Sequence, residues 1–298
     1  MDILTYRKKK ESLIFSKQTK ETPVGSVSQR TIPTSIGETR LFIYRPFQKV
    51  EGSLPVFINL HGGGFVLGFP EVDDPYCREL ANKTGCIVIN VDYALAPENK
   101  FPAAVYECYD VVKWIYEHPA ELQIDRKKIA IGGHSAGGNL AAAVCLLAKE
   151  RQEFSLIYQV IDYAPLNQAA DPYKKATGDA VADNNSATAK MYEAWYFKTR
   201  EETWHPLASP VLAEDLSGLP PALIITAEYD MLCEDGRLYA ERLKEAGVTT
   251  IYKMFEKCGH GFTHEIYRPA DDEWQREAAE EAWNLMYDEL RKSFSKEG

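Results

Sequence analysis

Ser135 lies in a setting that could make a serine hydroxyl nucleophilic. Glycines stand two residues to either side of it, in the order Gly133-His134-Ser135-Ala136-Gly137. An apolar strand, 128–131, precedes these residues, and a helix-forming run, 139–149, follows them. In such a sharp strand–turn–helix connection the hydroxyl stands clear of the sheet at a helix N-terminus, where free N–H groups favour negative charge. Because the pattern is common by chance, its meaning depends on partners elsewhere in the chain.

A glycine loop directly after another apolar strand, 54–60, offers hydrogen-bond donors. Acyl transfer by serine needs such donors for the negative oxygen of the intermediate. Consecutive glycines let backbone N–H groups turn toward a substrate without interference from side chains. The N–H groups of Gly62 and Gly63, with that of Ala136, are therefore predicted to form an oxyanion hole. A flexible surface loop is the alternative interpretation, and the serine motif in the same chain disfavours it.

The chain also supplies a candidate base for the serine proton. The candidates are its six histidines: His61, His118, His134, His205, His260 and His264. His260 lies between two glycines soon after a predicted strand, 249–255, and a loop histidine there can reach the serine. His134 adjoins the serine, but neighbouring side chains at such a turn point apart. We expect His134 to support the turn by packing or hydrogen bonding.

A carboxylate that orients the base is expected after the predicted strand 222–226. Four acids follow this strand: Glu228, Asp230, Glu234 and Asp235. Glu234 and Asp235 are typical of the first turn of a helix, and Glu228 is close to the strand itself. Asp230 is left as the loop acid. The order Ser135, Asp230, His260 is the Ser…Asp…His order of α/β hydrolases.

The elements that must position these residues alternate between strands and helices. Nearly continuous apolar runs predict strands buried on both faces at 54–60, 86–91, 155–163 and 222–226. Helical spacing between and after them predicts helices at about 75–84, 101–117, 235–246 and 272–291. This alternation indicates a mostly parallel sheet with helices on both faces, preceded by two further strands at 27–33 and 38–45.

One connection is too long for a plain loop. Residues 165–218 show no strand pattern, contain many aromatic residues and hold a predicted helix at 186–199. Because most connections span about 2–6 residues, we expect a lid or cap here. Residues 1–25 are predicted to form a short helix and a lead-in that could contribute to the same cap. The chain is predicted to be a single domain over 1–298.

Together these segments resemble the hormone-sensitive-lipase branch of the esterases, within the α/β-hydrolase fold. The matching segments are 61–65 (HGGGF), 92–98 (DYALAPE), 101–104 (FPAA), 133–141 (GHSAGGNLA), 219–222 (LPPA) and 260–262 (HGF). The resemblance implies a serine carboxylesterase with a helical cap, and neither metal nor organic cofactor. Ser135 would be the nucleophile, His260 the general base and then acid, and Asp230 its orienter. The implied oxyanion donors are Gly62, Gly63 and Ala136.

The chain departs from the pattern of this family at three places. His134 stands where the family commonly has Asp or Thr, which changes the hydrogen bonding around the turn. After Asp230 the chain has Met-Leu-Cys-Glu-Asp-Gly, where the family usually has Pro-Leu-Arg-Asp-Glu-Gly. The segment before His61 is shorter than in many relatives. We therefore expect a cap built mainly from residues 165–218.

Composition limits the partners and the compartment. Lys plus Arg is 34 and Asp plus Glu is 44, so the formal charge is 34 − 44 = −10, which argues against nucleic acid or an anionic membrane as partner. No apolar run approaches the ~18 residues of a membrane span or the core of a signal peptide. The six cysteines lack metal-ligand spacing and are interpreted as reduced thiols in a cytoplasmic protein. A small-molecule ester is the expected partner, and a homodimer is compatible with the family.

Alternative hypotheses share the same residues. An amide-directed relative, such as an arylformamidase or a small-peptide hydrolase, would use the same triad. A non-catalytic receptor on this scaffold, resembling the plant gibberellin receptors, lacks the catalytic histidine, so His260 disfavours it. Cys233 and Cys258 lie near the predicted acid and base, where a redox-sensitive pair competes with the simpler interpretation of two reduced thiols.

Overall fold

A computed structural model describes residues 2–15, 22–47, 52–175, 180–268 and 272–296. Its strands, in chain order, are β1 (Ser26–Thr34), β2 (Gly37–Arg45), β3 (Leu54–Leu60), β4 (Ile87–Asp92), β5 (Ile124–His134), β6 (Tyr158–Asp162), β7 (Ala222–Tyr229) and β8 (Thr250–Gly259). Parts of the predicted N-terminal segment and of the predicted cap, residues 16–21 and 176–179, lie outside the described residues.

Eight α-helices are described along the chain. They are α1 (Ile3–Phe15), α2 (Asp74–Thr84), α3 (Ala103–Glu117), α4 (Pro119–Leu122), α5 (Ala136–Arg151), α6 (Ala180–Tyr196), α7 (Cys233–Glu245) and α8 (Glu273–Ser295). Short 3₁₀ turns occur between them, four of which are Pro70–Val72, Pro172–Lys174, Arg200–Trp204 and Pro210–Leu212. Within the described ranges, no helix has the length and apolarity needed to cross a bilayer.

The strands form one sheet in the order β1-β2-β4-β3-β5-β6-β7-β8. β2 pairs antiparallel with both β1 and β4, and every other neighbouring pair is parallel. The predicted mostly parallel sheet is therefore confirmed. Parallel strands deliver the residues that follow them to one edge of the sheet. The predicted site residues follow β3, β5, β7 and β8 and so share this edge.

The sheet is buried between two layers of helices. Along β3, Val56, Ile58 and Leu60 face the layer that contains α3, α5 and α7, while Phe57 faces the layer of α2 and α8. β4 alternates in the same way. Because side chains alternate along a strand, a strand covered on both faces is apolar at nearly every position. This explains why the central strands were visible in the sequence as continuous apolar runs.

Several elements differ in extent from their predictions, among them β5, α6 and β8, which runs to Gly259 where an end at 255 was predicted. β5 runs to His134, three residues beyond the predicted end at 131, because Gly132 and Gly133 pair with both β3 and β6. α6 spans Ala180–Tyr196 where 186–199 was predicted. Its end is held by Lys100, whose Nζ donates to the carbonyls of Ala194 at 3.1 Å and Phe197 at 2.8 Å. Capping by a distant lysine leaves no local sequence signal.

The N-terminal helix is attached to the edge of the sheet that carries the site. Arg7 of α1 donates to the carbonyls of Val66 at 2.7 Å and Ala96 at 2.6 Å, and its guanidinium contacts both carboxylate oxygens of Glu98. The Tyr6 hydroxyl lies 2.8 Å from that of Tyr192 in α6. One helix thus links the segment after the glycine loop to the segment between β6 and β7.

Replacing Arg7 tests this attachment. We expect Arg7→Ala to lower the free energy of unfolding by about 1–3 kcal/mol, since two charge-assisted bonds to partly buried carbonyls are lost. The exposed Glu98 pair should contribute little of this. Urea unfolding, with hydrogen exchange in α1 as a local readout, measures the effect. Lys9→Ala, at an exposed position of the same helix, is the control. Equal stability and exchange in both variants would contradict the role of Arg7.

Candidate active site

Ser135 lies in a strained turn whose backbone packs closely against the backbone at the end of β3. Its φ is 52°, in the region that non-glycine residues rarely adopt. A Cβ on Gly133 would lie 2.2 Å from the carbonyl oxygen of Leu60, and one on Gly137 only 1.8 Å from it. The Ser135 N–H donates to the carbonyl of Asp162 at 2.8 Å. The end of β3 therefore packs against the turn with no room for side chains, and the hydroxyl points outward.

The structure brings Ser135, His260 and Asp230 into one hydrogen-bonded chain. Ser135 Oγ lies 3.0 Å from His260 Nε2, and His260 Nδ1 lies 2.7 Å from Asp230 Oδ2. Since a carboxylate only accepts, Nδ1 carries the ring proton and the neutral ring presents Nε2 to the hydroxyl as an acceptor. This arrangement can take the proton of the serine as the hydroxyl attacks.

Electrostatics favour a basic His260. Burial lowers its pKa, but the charge of Asp230 and the hydrogen bond to it outweigh that effect, so the pKa lies above its ordinary value. Asp230 itself is 2% exposed, and its second oxygen accepts from the N–H of Leu232 at 3.0 Å. Because both carboxylate oxygens have donors, the acid is held in one orientation.

The other three acids that follow the predicted strand 222–226 have different partners. Glu228 accepts from the N–H of Lys257 at 2.8 Å at the exposed end of the strand. Glu234 and Asp235 lie in the first turn of α7, as predicted. Glu234 pairs with Arg237 on the surface, while the buried Asp235 lies 2.7 Å from Lys175 Nζ. Among these four carboxylates, that of Asp230 accepts a hydrogen bond from His260.

In the glycine loop, Gly62–Gly64, one of the predicted oxyanion donors has a hydrogen-bond partner within the protein. The N–H of Gly62 donates to His134 Nε2 at 3.1 Å, so it is already engaged. The N–H groups of Gly63 and Gly64 have no acceptor among the described residues, and both glycines line the cavity that contains Ser135. Ala136 is the first residue of α5, where helix N–H groups have no intrahelical partner. The geometry thus favours Gly63, Gly64 and Ala136 as donors.

Carbonyl hydrogen bonds orient the two free amides of the loop. The Gly62 carbonyl accepts from His61 Nδ1 at 2.7 Å, and the Gly63 carbonyl accepts from the N–H of Leu67 at 2.9 Å. In a trans peptide the N–H points opposite to the carbonyl of the same plane. The N–H groups of Gly63 and Gly64 therefore point away from these internal donors.

Asp73, His134 and His264 form a buried cluster next to the glycine loop. His134 Nδ1 and His264 Nε2 each lie 3.6 Å from an oxygen of Asp73, and the two imidazole rings lie 3.9 Å apart. Burial, aided by His260, lowers the pKa of His134 to about 3. Burial likewise holds the pKa of His264 well below its ordinary value and raises that of Asp73 to about 6.

By residue type this cluster could hold a divalent metal. The hydrogen bond from Gly62 argues against such a role. It requires an unprotonated Nε2 on His134, which puts the proton of the neutral ring on Nδ1, the nitrogen that faces Asp73. A ring nitrogen must be deprotonated to ligate a metal. We therefore interpret the cluster as a polar support for the loop.

A cavity of about 740 Å³ opens above Ser135. Its walls come from the glycine loop, from the segment between β6 and β7, and from the residues that follow β7 and β8. Aromatic walls are supplied by Phe65, Tyr192, Tyr196 and Phe197, and polar groups by Asn167 and Thr188. The volume lies in the usual range of about 300–1,000 Å³ for small-molecule sites.

Comparison with known proteins agrees with this geometry. A family model described as the alpha/beta hydrolase fold matches residues 57–264. The chain belongs to this family. An arylesterase of Saccharolobus solfataricus is 38% identical over 86% of the chain and 83% of its own length. A carboxylesterase, NlhH, of Mycobacterium tuberculosis is 37% identical over 72% of the chain and 68% of its own length.

Solved structures support the same assignment for this α/β hydrolase. An esterase from Pyrobaculum calidifontis superimposes with a TM-score of 0.87 at 38% identity, covering 98% of the chain and 94% of that protein. The predicted fold, the hormone-sensitive-lipase-like family and the class of enzyme, a carboxylic ester hydrolase, are confirmed. The roles of individual residues are outside these comparisons.

Sequence reasoning missed Asp73 and His264 in this hydrolase. Neither lies in a motif, since Asp73 immediately precedes α2 and His264 stands four residues after His260. The Tyr163 hydroxyl lies 2.9 Å from His264 Nδ1. The one available signal was the position of His264 in the same loop as the predicted base. His134, expected to support the turn by packing or hydrogen bonding, hydrogen-bonds across to the glycine loop.

The two cysteines near the triad have the properties of inert thiols. Cys258 is buried, Cys233 is half-buried, and both are free. Burial raises the pKa of the Cys258 thiol to about 12 and also raises that of Cys233. Because the thiolate is the reactive form, raised pKa values disfavour redox chemistry at neutral pH. The structure supports the interpretation of two reduced thiols.

The pKa of His260 generates a prediction about pH dependence. Only the neutral ring accepts the serine proton, so kcat/KM should rise with pH through a pKa above the ordinary histidine value. We expect Asp230→Asn to move this acid limb to lower pH, because the raising charge is gone, and to reduce kcat by about 10⁴-fold. An activated ester keeps the residual rate measurable.

Glu228→Gln is the control for this prediction, because Glu228 bonds the Lys257 amide rather than the histidine. It should leave the acid limb in place. An acid limb that stays fixed or moves to higher pH in Asp230→Asn would show that Asp230 does not set the pKa of His260.

The close approach at the serine turn generates a stability prediction. We expect Gly137→Ala to lower the free energy of unfolding by about 2 kcal/mol or more, since the new methyl meets the backbone of β3. Gly247→Ala is the control: its φ is +79°, but nothing lies within 4 Å of the added Cβ. Its cost should be about 1 kcal/mol from conformation alone. If urea unfolding gave the same loss of unfolding free energy for both variants, the backbone at Leu60 would be able to move away from the added methyl group, which would contradict the prediction.

Proposed function

We propose that this carboxylic ester hydrolase acts through an acyl-enzyme on Ser135. The observation that carries the proposal is the unbroken hydrogen-bonded chain from Ser135 Oγ through His260 to Asp230. In the first half-reaction Oγ attacks the ester carbonyl while His260 Nε2 takes the hydroxyl proton. Asp230 keeps the ring in the required tautomer and stabilises the imidazolium that forms.

Charge on the substrate oxygen would be met by backbone dipoles. We assign this role to the N–H groups of Gly63, Gly64 and Ala136, which have no acceptor in the part of the chain that the structure describes, whereas Gly62 donates to His134. Amides that are oriented before the reaction stabilise the developing oxyanion without reorganising. Removing one such donor from an enzyme typically lowers kcat by about 10²–10³-fold.

The first half-reaction ends with departure of the alcohol, and the second half-reaction restores the serine. His260, now protonated, donates its proton to the departing alcohol, and the acyl group stays on Ser135 as an ester. A water molecule then loses a proton to His260 as it attacks that ester, and the acid departs with return of the proton to Ser135 Oγ. Each proton moves through the same nitrogen, Nε2.

The proposed substrates are short- to medium-chain carboxylic esters. A cavity of about 740 Å³ with aromatic walls fits an apolar or aromatic group of limited size. We assign the described residues between 165 and 218 as the cap over this cavity, with α1 as a smaller contribution, supported by the Tyr6–Tyr192 contact. A cytoplasmic location and a homodimer stay predictions from the sequence.

Labelling with a fluorophosphonate probe tests the nucleophile. We expect wild-type protein to be labelled stoichiometrically, and Ser135→Ala to lose labelling and to lose turnover by about 10⁴–10⁶-fold. Ser155→Ala, an exposed serine outside the cavity, is the control and should behave as wild type. Labelling that persists in Ser135→Ala would contradict the assignment.

A matched substrate panel separates the ester from the amide hypothesis. Nitrophenyl esters of increasing acyl length and the corresponding nitroanilides present the same acyl groups with different leaving groups. The proposal expects kcat/KM to favour the esters and to fall for acyl chains too long for the cavity. Preferential cleavage of the anilides would support the amide-directed alternative.

A further inference from the structure

His134, the residue before the proposed nucleophile, lies inside the molecule and contacts the loop across from it. It ends β5, and only 5% of its surface is exposed. A Cβ on Gly62 would lie 2.6 Å from its ring, so only glycine admits the imidazole at this point. On the other side the ring packs against His264. The ring therefore fills the space between the glycine loop and the loop that carries His260.

The polarity of its hydrogen bond fixes the state of this ring. A backbone N–H can only donate, so Nε2 accepts from Gly62 and must be unprotonated. Protonation would set two N–H groups against each other. Burial keeps the pKa of His134 near 3, so the acceptor is present at every pH at which His260 can act as a base.

Three side chains form hydrogen bonds with the two peptide planes on either side of Gly62. In the plane between His61 and Gly62, the N–H is held by His134 and the carbonyl accepts from the Tyr93 hydroxyl at 2.7 Å. In the plane between Gly62 and Gly63, the carbonyl accepts from the His61 ring. Glycine has no side chain to restrict φ and ψ, so these bonds determine where the next N–H points.

We propose that His134 is a positioning residue for ester hydrolysis, holding the Gly62 amide so that the Gly63 amide faces the substrate oxygen. The inference rests on the proposed function, because it presumes that the Gly63 amide meets the oxyanion. Misplacing such a donor affects the transition state more than the bound substrate. Loss of His134 should therefore lower kcat with little change in KM.

The contact with His264 extends the effect to the second loop of the site. His264 Nδ1 lies 2.9 Å from both the Tyr163 hydroxyl and Thr263 Oγ1, and Thr263 donates to Asp162 at 2.9 Å. These groups anchor the stretch that begins at His260. His134 thus packs on one loop that is fixed by its own network and holds the other by a single hydrogen bond.

A matched pair of variants separates the two contacts of the ring. The side-chain oxygen of glutamine can occupy the place of Nε2 and accept from Gly62, whereas asparagine is too short and retains only a group near Nδ1 that faces Asp73. We expect His134→Asn to lower kcat by about 10–100-fold with KM within about threefold. His134→Gln should recover kcat to within about threefold of wild type.

The Ki of a transition-state analogue distinguishes a positioning role of His134 from a role in stability alone, because a loss of stability would not change this Ki. A trifluoromethyl ketone forms a hemiketal with the serine hydroxyl, and the oxyanion of this hemiketal needs the oxyanion amides, so its Ki should rise in His134→Asn by the same factor as kcat/KM falls. The Ki of a neutral product alcohol should stay constant. Thermal unfolding checks that both variants are folded.

A third variant keeps the test decisive if His134→Asn does not fold. Tyr93→Phe removes the hydrogen bond at the other end of the same peptide plane and should lower kcat in the same sense. Equal kcat in folded His134→Asn and wild type, or equal losses in the asparagine and glutamine variants, would overturn the positioning role. Absence of Ser135-dependent turnover in wild type would instead overturn the proposed function.

Discussion

The backbone at the end of β3 packs directly against the backbone at the start of α5, with no side chain between them. The geometry of the site depends on this contact. The Leu60 carbonyl approaches both Gly133 and Gly137 more closely than any Cβ allows. This contact lets the chain reverse within one residue, so Ser135 adopts its positive φ and α5 begins at once. The same contact brings the glycine loop, which continues from β3, beside the serine. Nucleophile and proposed oxyanion donors are thus placed by one backbone contact.

The proton path depends on a different balance, between burial and charge. Burying an imidazole opposes its protonation, and burying a carboxylate opposes its ionisation. At His260 the buried Asp230 reverses the first effect and raises the pKa of the ring. At His134 the nearest carboxylate oxygen of the described residues, on Asp73, lies 3.6 Å away, so burial dominates and the ring stays neutral. Two histidines at the same edge of the sheet therefore differ in basicity, and the proposed base is the one that lies closer to an acid.

The sequence allowed the fold, the triad and the edge of the sheet that carries it to be predicted, because each depends on local patterns. Apolar runs located the buried strands, and strand ends followed by glycine or acid located Ser135, Asp230 and His260. Contacts between distant residues left no such pattern. The bond between Gly62 and His134 joins residues 72 positions apart, and it bears on which amides are proposed as oxyanion donors. The end of α6 at Tyr196 likewise depends on Lys100, which precedes a different helix.

A loop of glycines has no rigidity of its own, yet catalysis by backbone amides requires fixed dipoles. Here the rigidity comes from other elements: Tyr93 follows β4, His134 ends β5, and both bond the peptide before Gly62. Burying such polar side chains destabilises a fold unless each finds a partner, and their partners are the peptide groups that must be oriented. The hydrogen bonds that offset the cost of polar burial are therefore the same bonds that aim the Gly63 amide at the substrate.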